Sequence, residues 1–531
     1  DDDDDDDDDG GIVLETDLGN SDFFPDYTLN VTDGFTPNPY FSRVARVWDR
    51  LGEQLRRSDD DGDAFLFGES AATVNGVGLF DKNATMRRGG FYASKVSTGC
   101  STNADDAGGQ QPQLVLVSLN TVIYSPSHTP KPYKTSDSFD DVDESAADEL
   151  DPFGQWAWLE AVLAHCEASD NELKVWVLGH IPPALDAFHF EMLWEQAHAD
   201  VYTSLLERYA STVRGQFFGH THSDEWRVVT TSTTSLDDAK DDPSGVDSLS
   251  SLSWWDSSSA PMLLVGSVSP IYDANPSFRL VDFDCESLRV LDWTVHSATL
   301  ADGDSYLGLE QSKDAKLERR EEVRKVAVEV EKRATDNELT SSTATSSSAM
   351  SSSSSPSLNW APLYTASEEY GLAAGQLNNS AFRDLTARLL TDDGLFARFL
   401  TNFHSDCTTT TGEAETGARV GDCYGGGGCN SSCRLRHVCV MLHGNRLDTY
   451  QRCVACATSV AIDSTATTTA STDVDDDDTK EEGYGYEDDG VSTAFKFALS
   501  LAILHPSGCS YLVSSSSESD DAGGVVSDWW W

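Results

Sequence analysis

The sequence predicts a layered α/β fold. Short apolar runs of strand type alternate with stretches whose apolar residues recur at helical spacing, over residues 12–128 and 152–300. Polar inserts interrupt this alternation at about 129–151 and 231–258, as is typical of loops that tolerate extra length. We therefore expect one α/β unit over residues 12–300.

The strands and helices of this unit follow in order. A strand is predicted at Leu114–Asn120 and a helix at Pro152–His165. A second buried strand covers Lys174–His180, and then come a helix over Phe188–Tyr209 and a strand over Val213–His220. The remaining predicted strands are Trp226–Thr230, Met262–Gly266, Phe278–Phe283 and Arg289–Val295.

The rest of the chain divides by composition. Residues 1–11 and 457–531 are low-complexity segments, and residues 301–358 combine a charged, helical stretch with a serine-rich linker. Residues 359–456 form a compact helical segment that ends in a cysteine cluster. A chain of 531 residues is long enough for two such domains, each with its own core.

The charge excludes two classes of partner. At a formal net charge of −54, nucleic acid and anionic membrane surfaces would be repelled, so we expect no nucleic-acid binding. Much of the charge lies in runs such as Asp1–Asp9 and Asp475–Asp478, which we interpret as solvated, disordered acid. Calcium buffering by these runs is the alternative.

Cysteines and sequons both point to an oxidising compartment. Seven of the eleven cysteines lie between Cys407 and Cys456. Zinc is the alternative, but Cys453-x2-Cys456 faces no second pair at zinc-finger spacing, so disulfides are favoured. The four glycosylation sequons are Asn30, Asn83, Asn378 and Asn430.

Targeting signals are limited. The longest C-terminal apolar run, Ala494–Leu504, contains a lysine and is too short to span a bilayer, so no transmembrane segment is predicted. The chain opens on nine aspartates without a signal peptide. For a chain with secretory features, this predicts that its true N-terminus is absent.

Three short motifs carry the chemistry. Histidine or asparagine follows glycine, next to a predicted strand end, in Leu18–Asp22, Gly179–Pro183 and Gly219–His222. Strand ends fix ligands in position, glycine allows close backbone approach, and neutral imidazole suits zinc, iron or manganese. In an extended backbone His220 and His222 would lie on the same face, whereas in a turn they could bind two adjacent metals. A lone histidine of this kind is more often a hydrogen-bonded loop residue, but three such motifs in order favour a metal site.

These motifs resemble the calcineurin-like metallophosphoesterase domain of the acid sphingomyelinase family and its phosphodiesterase relatives. The matching stretches are Val175–Pro183, Gln216–Glu225, Gly89–Tyr92, Leu116–Asn120, Ser269–Tyr272 and Asn275-Pro276. The tail resembles the family's C-terminal subdomain through Asn359-Trp360, Tyr364, Glu369–Leu372 and Cys429-x3-Cys433-Arg-Leu. The similarity covers about 12–300 and 359–456. It implies a metallophosphoesterase β-sandwich flanked by helices, with a small helical, disulfide-linked C-terminal subdomain.

The resemblance also implies a two-zinc site. Asn20, His180 and His220 would hold one Zn²⁺ ion and His222 would belong to the other, with a metal-bound hydroxide attacking phosphorus. The implied activity is that of a phosphoric diester hydrolase like sphingomyelin phosphodiesterase.

The family pattern further suggests the disulfides Cys429–Cys433 and Cys439–Cys453. It leaves Cys407, Cys423 and Cys456 unassigned.

The chain departs from the family pattern in two places. An Asp-x-His motif and a Gly-Asp motif are expected before Asn20, but residues 1–11 contain only aspartate and glycine. We therefore expect the chain to be N-terminally incomplete and unable to hold the full two-metal centre. Ser21 stands where the family has a catalytic histidine, and loss of a positioned acid costs about 10²–10⁴ in rate.

Three hypotheses follow for function. The leading one is a metal-dependent phosphodiester hydrolase acting on a small phosphodiester or phospholipid as a secreted or lysosomal monomer. The alternative, favoured by Ser21, is a catalytically degenerate secreted glycoprotein that keeps the fold for binding or structure. An acidic surface protein would explain the aspartate and serine tracts but not the ordered motifs. The substrate stays open between sphingomyelin and nucleotide or choline phosphodiesters, since no saposin-like cysteine-rich module precedes the catalytic stretch in this sequence.

Overall fold

The structure is a computed structural model of the chain. It describes residues 17–23, 26–29, 37–55, 73–74, 77–96, 98, 100, 112–129, 151, 153–169, 172–229, 259–269, 274–298, 360–373, 375, 377–405, 429 and 431–455. Several parts of the chain lie outside the described residues: the acidic runs, the linker over 301–358, the insert 231–258, most of the insert 129–151 and the tail 457–531.

The described part of the chain is a mixed α/β protein. Its strands are β1 Thr73–Val74, β2 Val77–Gly78, β3 Tyr92–Val96, β4 Gln113–Leu119, β5 Leu173–Gly179, β6 Val213–Phe218, β7 Glu225–Arg227, β8 Met262–Leu264, β9 Ser277–Phe283, β10 Val290–Ala298 and β11 Trp360–Thr365. Its helices are α1 Pro39–Leu55, α2 Lys82–Gly89, α3 Gln155–Glu167, α4 Gln196–Arg208, α5 Ala366–Tyr370, α6 Asn379–Arg388, α7 Asp393–Phe403, α8 Ser431–His443 and α9 at 447–455.

A six-stranded sheet forms the centre, in the order β3-β4-β5-β6-β8-β7. The four inner strands β4, β5, β6 and β8 are parallel, and the edge strands β3 and β7 are antiparallel to their neighbours. In register, Leu119 pairs with Gly179, Gly179 with Phe218, and Phe218 with Leu264. The carboxyl ends of all four parallel strands therefore meet at one edge, where open α/β sheets bind their ligands.

Two cores lie on the two faces of this sheet. On one face, α1–α4 bury residues such as Phe41, Trp156 and Tyr202 against the strands. On the other, Trp176 of β5 packs against Phe283 of β9, in a layer that also contains the C-terminal helices. The chain thus forms a sandwich of two sheets flanked by helices, and the predicted fold class is confirmed.

The second sheet contains a strand that the sequence did not predict. Its order is β11-β10-β9, all antiparallel, and β11 comes from the first residues of the segment predicted to be helical from residue 359. Without β11, one edge of the nine-residue strand β10 would leave its backbone groups unpaired. Helices begin only at Ala366, so the C-terminal segment is joined to the α/β unit by a shared sheet.

The helix predicted over Phe188–Tyr209 begins later, at Gln196. Tertiary hydrogen bonds hold the preceding residues in another conformation. Leu193 donates its backbone N–H to Ala184 at 2.9 Å, and Glu195 donates to Tyr124 at 2.8 Å. These long-range bonds outweigh the local helical pattern.

Three disulfides link the described residues. Cys429–Cys433 and Cys439–Cys453 are both present, and Cys100–Cys285 joins the segment after β3 to the turn after β9. Ligand atoms of Cys429, Cys433 and His437 lie within 4.8 Å of one another, but both sulfurs are disulfide-bonded. Cys407, Cys423 and Cys456 lie outside the described residues. Among the described helices, none is both long enough and apolar enough to cross a membrane.

Because of His437 in α8, we expect the stability of the folded protein to depend on pH. Burial, with smaller effects of Arg227 and His404, lowers its pKa from 6.5 to about 3. The unfolded chain therefore takes up this proton first, and the stability given by the neutral ring, complete above pH 6.5, is lost as the pH falls toward 3. Between pH 7 and pH 4 this group alone should cost about 3 kcal/mol of unfolding free energy. Chemical denaturation across this range measures it.

Two variants separate this effect from general acid sensitivity. His437→Gln should lose stability less steeply than the wild type as the pH falls. His189→Gln, at a side chain 79% exposed, should follow the wild-type curve. Equal slopes for the wild type and His437→Gln would contradict the prediction.

Candidate metal centre

Three of the predicted site residues converge at the carboxyl edge of the central sheet. The Asn20 side-chain oxygen, Oδ1, lies 2.8 Å from His180 Nε2 and 3.1 Å from His220 Nδ1. The two imidazole rings meet edge to face with their centroids 5.2 Å apart. Residues separated by up to 200 positions in the chain thus bring three potential metal-binding atoms together.

A short turn that follows the extended residue Gly19 holds Asn20 in place. Asn20 begins the 3₁₀ turn Asn20–Asp22, where the Asp22 carboxylate accepts the Gly19 backbone N–H at 2.8 Å. A Cβ atom on Gly19 would lie 3.3 Å from His180 Cε1, tighter than most such contacts. Glycine at this position therefore allows the Asn20 backbone to approach the histidine ring.

The two histidines are positioned by neighbouring parallel strands. His180 directly follows β5, and its carbonyl accepts the backbone N–H of Gly219, one residue after β6, at 3.0 Å. His220 and His222 both have left-handed backbones, with φ of 70° and 59°. Such conformations are uncommon outside glycine, and they give the Gly219–His222 motif a sharp turn rather than the extended alternative.

The local environment keeps these rings neutral. Burial, assisted by His222, lowers the pKa of His180 to about 4. Burial, assisted by His180 and His222, lowers the pKa of His220 to about 4, and burial also lowers the pKa of His222. A neutral ring has a lone pair to offer, and two imidazole nitrogens with one amide oxygen suit a zinc-type ion. The donor set therefore fits such a metal.

Tyr27 is a site residue that the sequence analysis missed. Its hydroxyl lies 3.3 Å from Nε2 of His220, the ring nitrogen that faces away from Asn20. If Nδ1 binds a metal, Nε2 carries the proton and donates it to the Tyr27 oxygen, as metal-bound histidines usually do. Tyr27 has a left-handed φ of 63° and lies 193 positions from His220, so no local pattern identifies it.

The two remaining predicted site residues lie beside this group. Among the described residues, the ring nitrogens of His180, His220 and His222 do not form a group that lies within 4.8 Å of one another. The assignment of His222 to a second metal stays a prediction. Ser21 is exposed, and its hydroxyl accepts a hydrogen bond from the Asn20 amide at 3.3 Å.

The glycosylation sequons are less uniform than the sequence suggests. Asn378 caps α6 by accepting the Ala381 N–H at 3.0 Å. Asn83 lies in the first turn of α2 with its side-chain oxygen buried. Asn30 and Asn430 lie outside the described residues, and glycosylation of all four stays a prediction.

The chain is similar to several proteins that are named phosphodiesterases. A Dictyostelium discoideum protein named sphingomyelinase phosphodiesterase D is 26% identical over 279 residues, which are 52% of this chain and 46% of that protein. A human cyclic GMP-AMP phosphodiesterase is 28% identical over 211 residues, 39% of this chain and 36% of the relative. A mouse acid sphingomyelinase-like phosphodiesterase 3b is 24% identical over 296 residues, 53% and 47% of the two chains.

Over 39–54% of its length the chain is thus similar to several acid sphingomyelinase-like phosphodiesterases. The resemblance found from the ordered motifs is thereby confirmed. No protein-family model matches the chain. The chain spans less than half the length of these curated relatives.

Proposed function

We propose that the chain is a metal-dependent phosphodiester hydrolase in which Asn20, His180 and His220 bind a zinc ion. The proposal is carried by the position of Asn20 Oδ1, which lies 2.8 Å from His180 Nε2 and 3.1 Å from His220 Nδ1. The phosphodiesterase names of several relatives support the hydrolase part of the proposal independently. The metal would supply Lewis-acid activation of the phosphoryl group and of water.

The protein side chains have separate tasks in this proposal. His180 and His220 stay neutral down to about pH 4, so both offer lone pairs at neutral and mildly acidic pH. The Tyr27 oxygen would accept a hydrogen bond from Nε2–H of His220, which would keep Nδ1 turned toward Asn20. Ser21, exposed beside Asn20, could hydrogen-bond a leaving group but could not protonate it near neutrality.

Substrate and location extend the proposal. The relatives are named for sphingomyelin and for cyclic GMP-AMP, so we propose a phosphodiester with a neutral or nucleoside leaving alcohol. The disulfides support a secretory route, which would lead to a secreted or lysosomal protein.

Metal binding provides the direct test. Co²⁺ titration of the full chain, followed by its visible absorption, should give a site whose affinity falls in His180→Ala by more than the roughly 10–100-fold typical of an outer-shell partner. Excess Ca²⁺ in the buffer keeps the carboxylate-rich runs occupied, because that ion prefers oxygen ligands. Hydrolysis of bis(p-nitrophenyl) phosphate should fall in parallel.

The controls distinguish the centre from the chain's other histidines and acids. His189→Ala, at an exposed side chain, should leave Co²⁺ affinity unchanged. Equal Co²⁺ affinity in the wild type and His180→Ala would overturn the proposed metal site.

One observation favours the degenerate-glycoprotein alternative. The side chain beside Asn20 is serine, which cannot serve as the general acid. A chain that binds Co²⁺ through His180 but hydrolyses neither phosphodiesters with good leaving groups nor those with poor ones would support a binding role for this fold.

A further inference from the structure

The loop that carries two of the histidines is strained and needs support. Within Gly219–Asp224, His220 and His222 both have positive φ values, of 70° and 59°. Left-handed conformations are unfavourable for residues other than glycine and persist only where the surroundings hold them. Short bonds within the loop, from Thr221 N–H to Gly219 O and from Ser223 Oγ to Thr221 O, do not tie it to the rest of the protein.

The upstream end is anchored by the sheet. The Gly219 N–H donates to the His180 carbonyl, and the preceding residue, Phe218, belongs to β6 and pairs with β5 and β8. This anchor fixes where the loop begins but not the direction in which His222 leaves the turn.

The downstream anchor is Asp224. Its backbone N–H donates to the carbonyl of Phe403, the last residue of α7, at 3.1 Å. Its carboxylate oxygen Oδ1 accepts from Arg279 Nη2 of β9 at 2.5 Å and from the Tyr364 hydroxyl of β11 at 3.1 Å. The side chains of Asp224 and Arg279 are only 3% and 2% exposed.

Arg279 is itself held firmly. The nitrogen Nη2 that binds Asp224 also donates to the Leu264 carbonyl, at the end of β8, at 3.0 Å. Its guanidinium group lies 4.6 Å from the centre of the Trp293 ring of β10. Asp224 thus connects the histidine loop to the C-terminal helices through its backbone, and to the second sheet and, by way of Arg279, the central sheet through its carboxylate.

We propose that Asp224, held by Arg279 and Tyr364, is a positioning residue that sets the geometry of His220 and His222 as metal ligands. This inference rests on the proposed function. It also assigns a task to β11 and α7: they complete the metal centre from outside the α/β unit.

The experiment compares Co²⁺ affinity and Co²⁺ absorption spectra of the full chain and its variants in excess Ca²⁺. Asp224→Asn keeps the shape of the side chain but removes its charge, and should lower the affinity by about 10–100-fold. Tyr364→Phe keeps the ion pair and loses one hydrogen bond, and should lower the affinity less, by up to about tenfold. Both should change the absorption spectrum, which reports ligand geometry and which a purely structural role would leave unchanged.

A double-mutant cycle identifies the route of the effect. Because Tyr364 acts through Asp224, Asp224→Asn with Tyr364→Phe should bind Co²⁺ no more weakly than Asp224→Asn alone. Tyr202→Phe removes another buried hydroxyl, one that donates to Gln216, and should keep wild-type affinity and spectrum.

The outcomes are separable. A wild type whose Co²⁺ binding is insensitive to His180→Ala overturns the proposed function and this inference with it. A wild type that binds through His180, with Tyr364→Phe folded and unchanged in both affinity and spectrum, overturns this inference alone. Because Tyr364→Phe leaves the Asp224–Arg279 pair intact, it decides the question even if Asp224→Asn fails to fold.

Discussion

Ser21→His is expected to raise the rate of hydrolysis of phosphodiesters with alkoxide leaving groups by about 10²–10⁴, the usual contribution of a positioned general acid. Ser21 is exposed and follows Asn20, whose side chain contacts both histidines of the centre. An imidazole at this position would stand beside the proposed metal and could protonate the departing oxygen. Serine cannot do so near neutrality, because its hydroxyl does not ionise there.

Comparison of two substrates makes this prediction specific. A p-nitrophenolate leaving group is stable as an anion and needs little proton donation, so Ser21→His should change its release much less than release of a nucleoside or other neutral alcohol. The kcat for the alkoxide substrate should also acquire a pH limb near the imidazole pKa. Ser21→Gln, which fills similar space without an acidic proton, is the matched control. Equal rates for Ser21→His and Ser21→Gln on the alkoxide substrate would contradict the prediction.

The sequence predicted those parts of the centre that depend on strand ends. His180 and His220 follow apolar strands. The carboxyl ends of parallel strands meet at one edge of a sheet regardless of the conformation of the loops. Asn20 was identified by its place in an ordered set of motifs. The structure brings these three side chains together, as that order suggests.

The parts that escaped prediction depend on contacts between distant segments. Tyr27 reaches His220 from a left-handed backbone that no local pattern signals. β11 is a strand because β10 offers it an unpaired edge, although its own residues include a proline and two aromatics within a segment of helical character. Asp224 has no distinguishing sequence pattern, since its side-chain partners lie on the distant strands β9 and β11.

A second buried ion pair lies next to the first. Glu225 and Arg227 have fully buried side chains joined by two hydrogen bonds, Nη1 to Oε2 at 2.6 Å and Nη2 to Oε1 at 3.0 Å. Arg227 Nη2 also donates to the carbonyl of Leu185 at 3.1 Å, in the segment that follows His180. The pair therefore links the two loops that carry the proposed metal ligands.

Arg227→Met should be among the most destabilising single substitutions in the chain, with a loss of about 3–5 kcal/mol of unfolding free energy. The reason is the carboxylate left behind: burial already raises the pKa of Glu225, and Arg227 is the first of the influences that lower it. Without the arginine the folded-state pKa rises further, so the loss should be smaller at mildly acidic pH, where Glu225 takes up a proton, and larger as the pH rises.

The double variant Glu225→Gln with Arg227→Met tests that explanation. It removes both charges, and it should recover most of the lost stability, because a buried pair contributes little net stability compared with uncharged residues of similar shape. Arg208→Met, at an exposed pair with Glu160, should cost only about 0–1 kcal/mol. If the double variant were as unstable as Arg227→Met, the loss would come from the packing and the Leu185 contact of the arginine. The link between the two ligand loops, rather than the unpaired charge, would then be what stabilises this side of the centre.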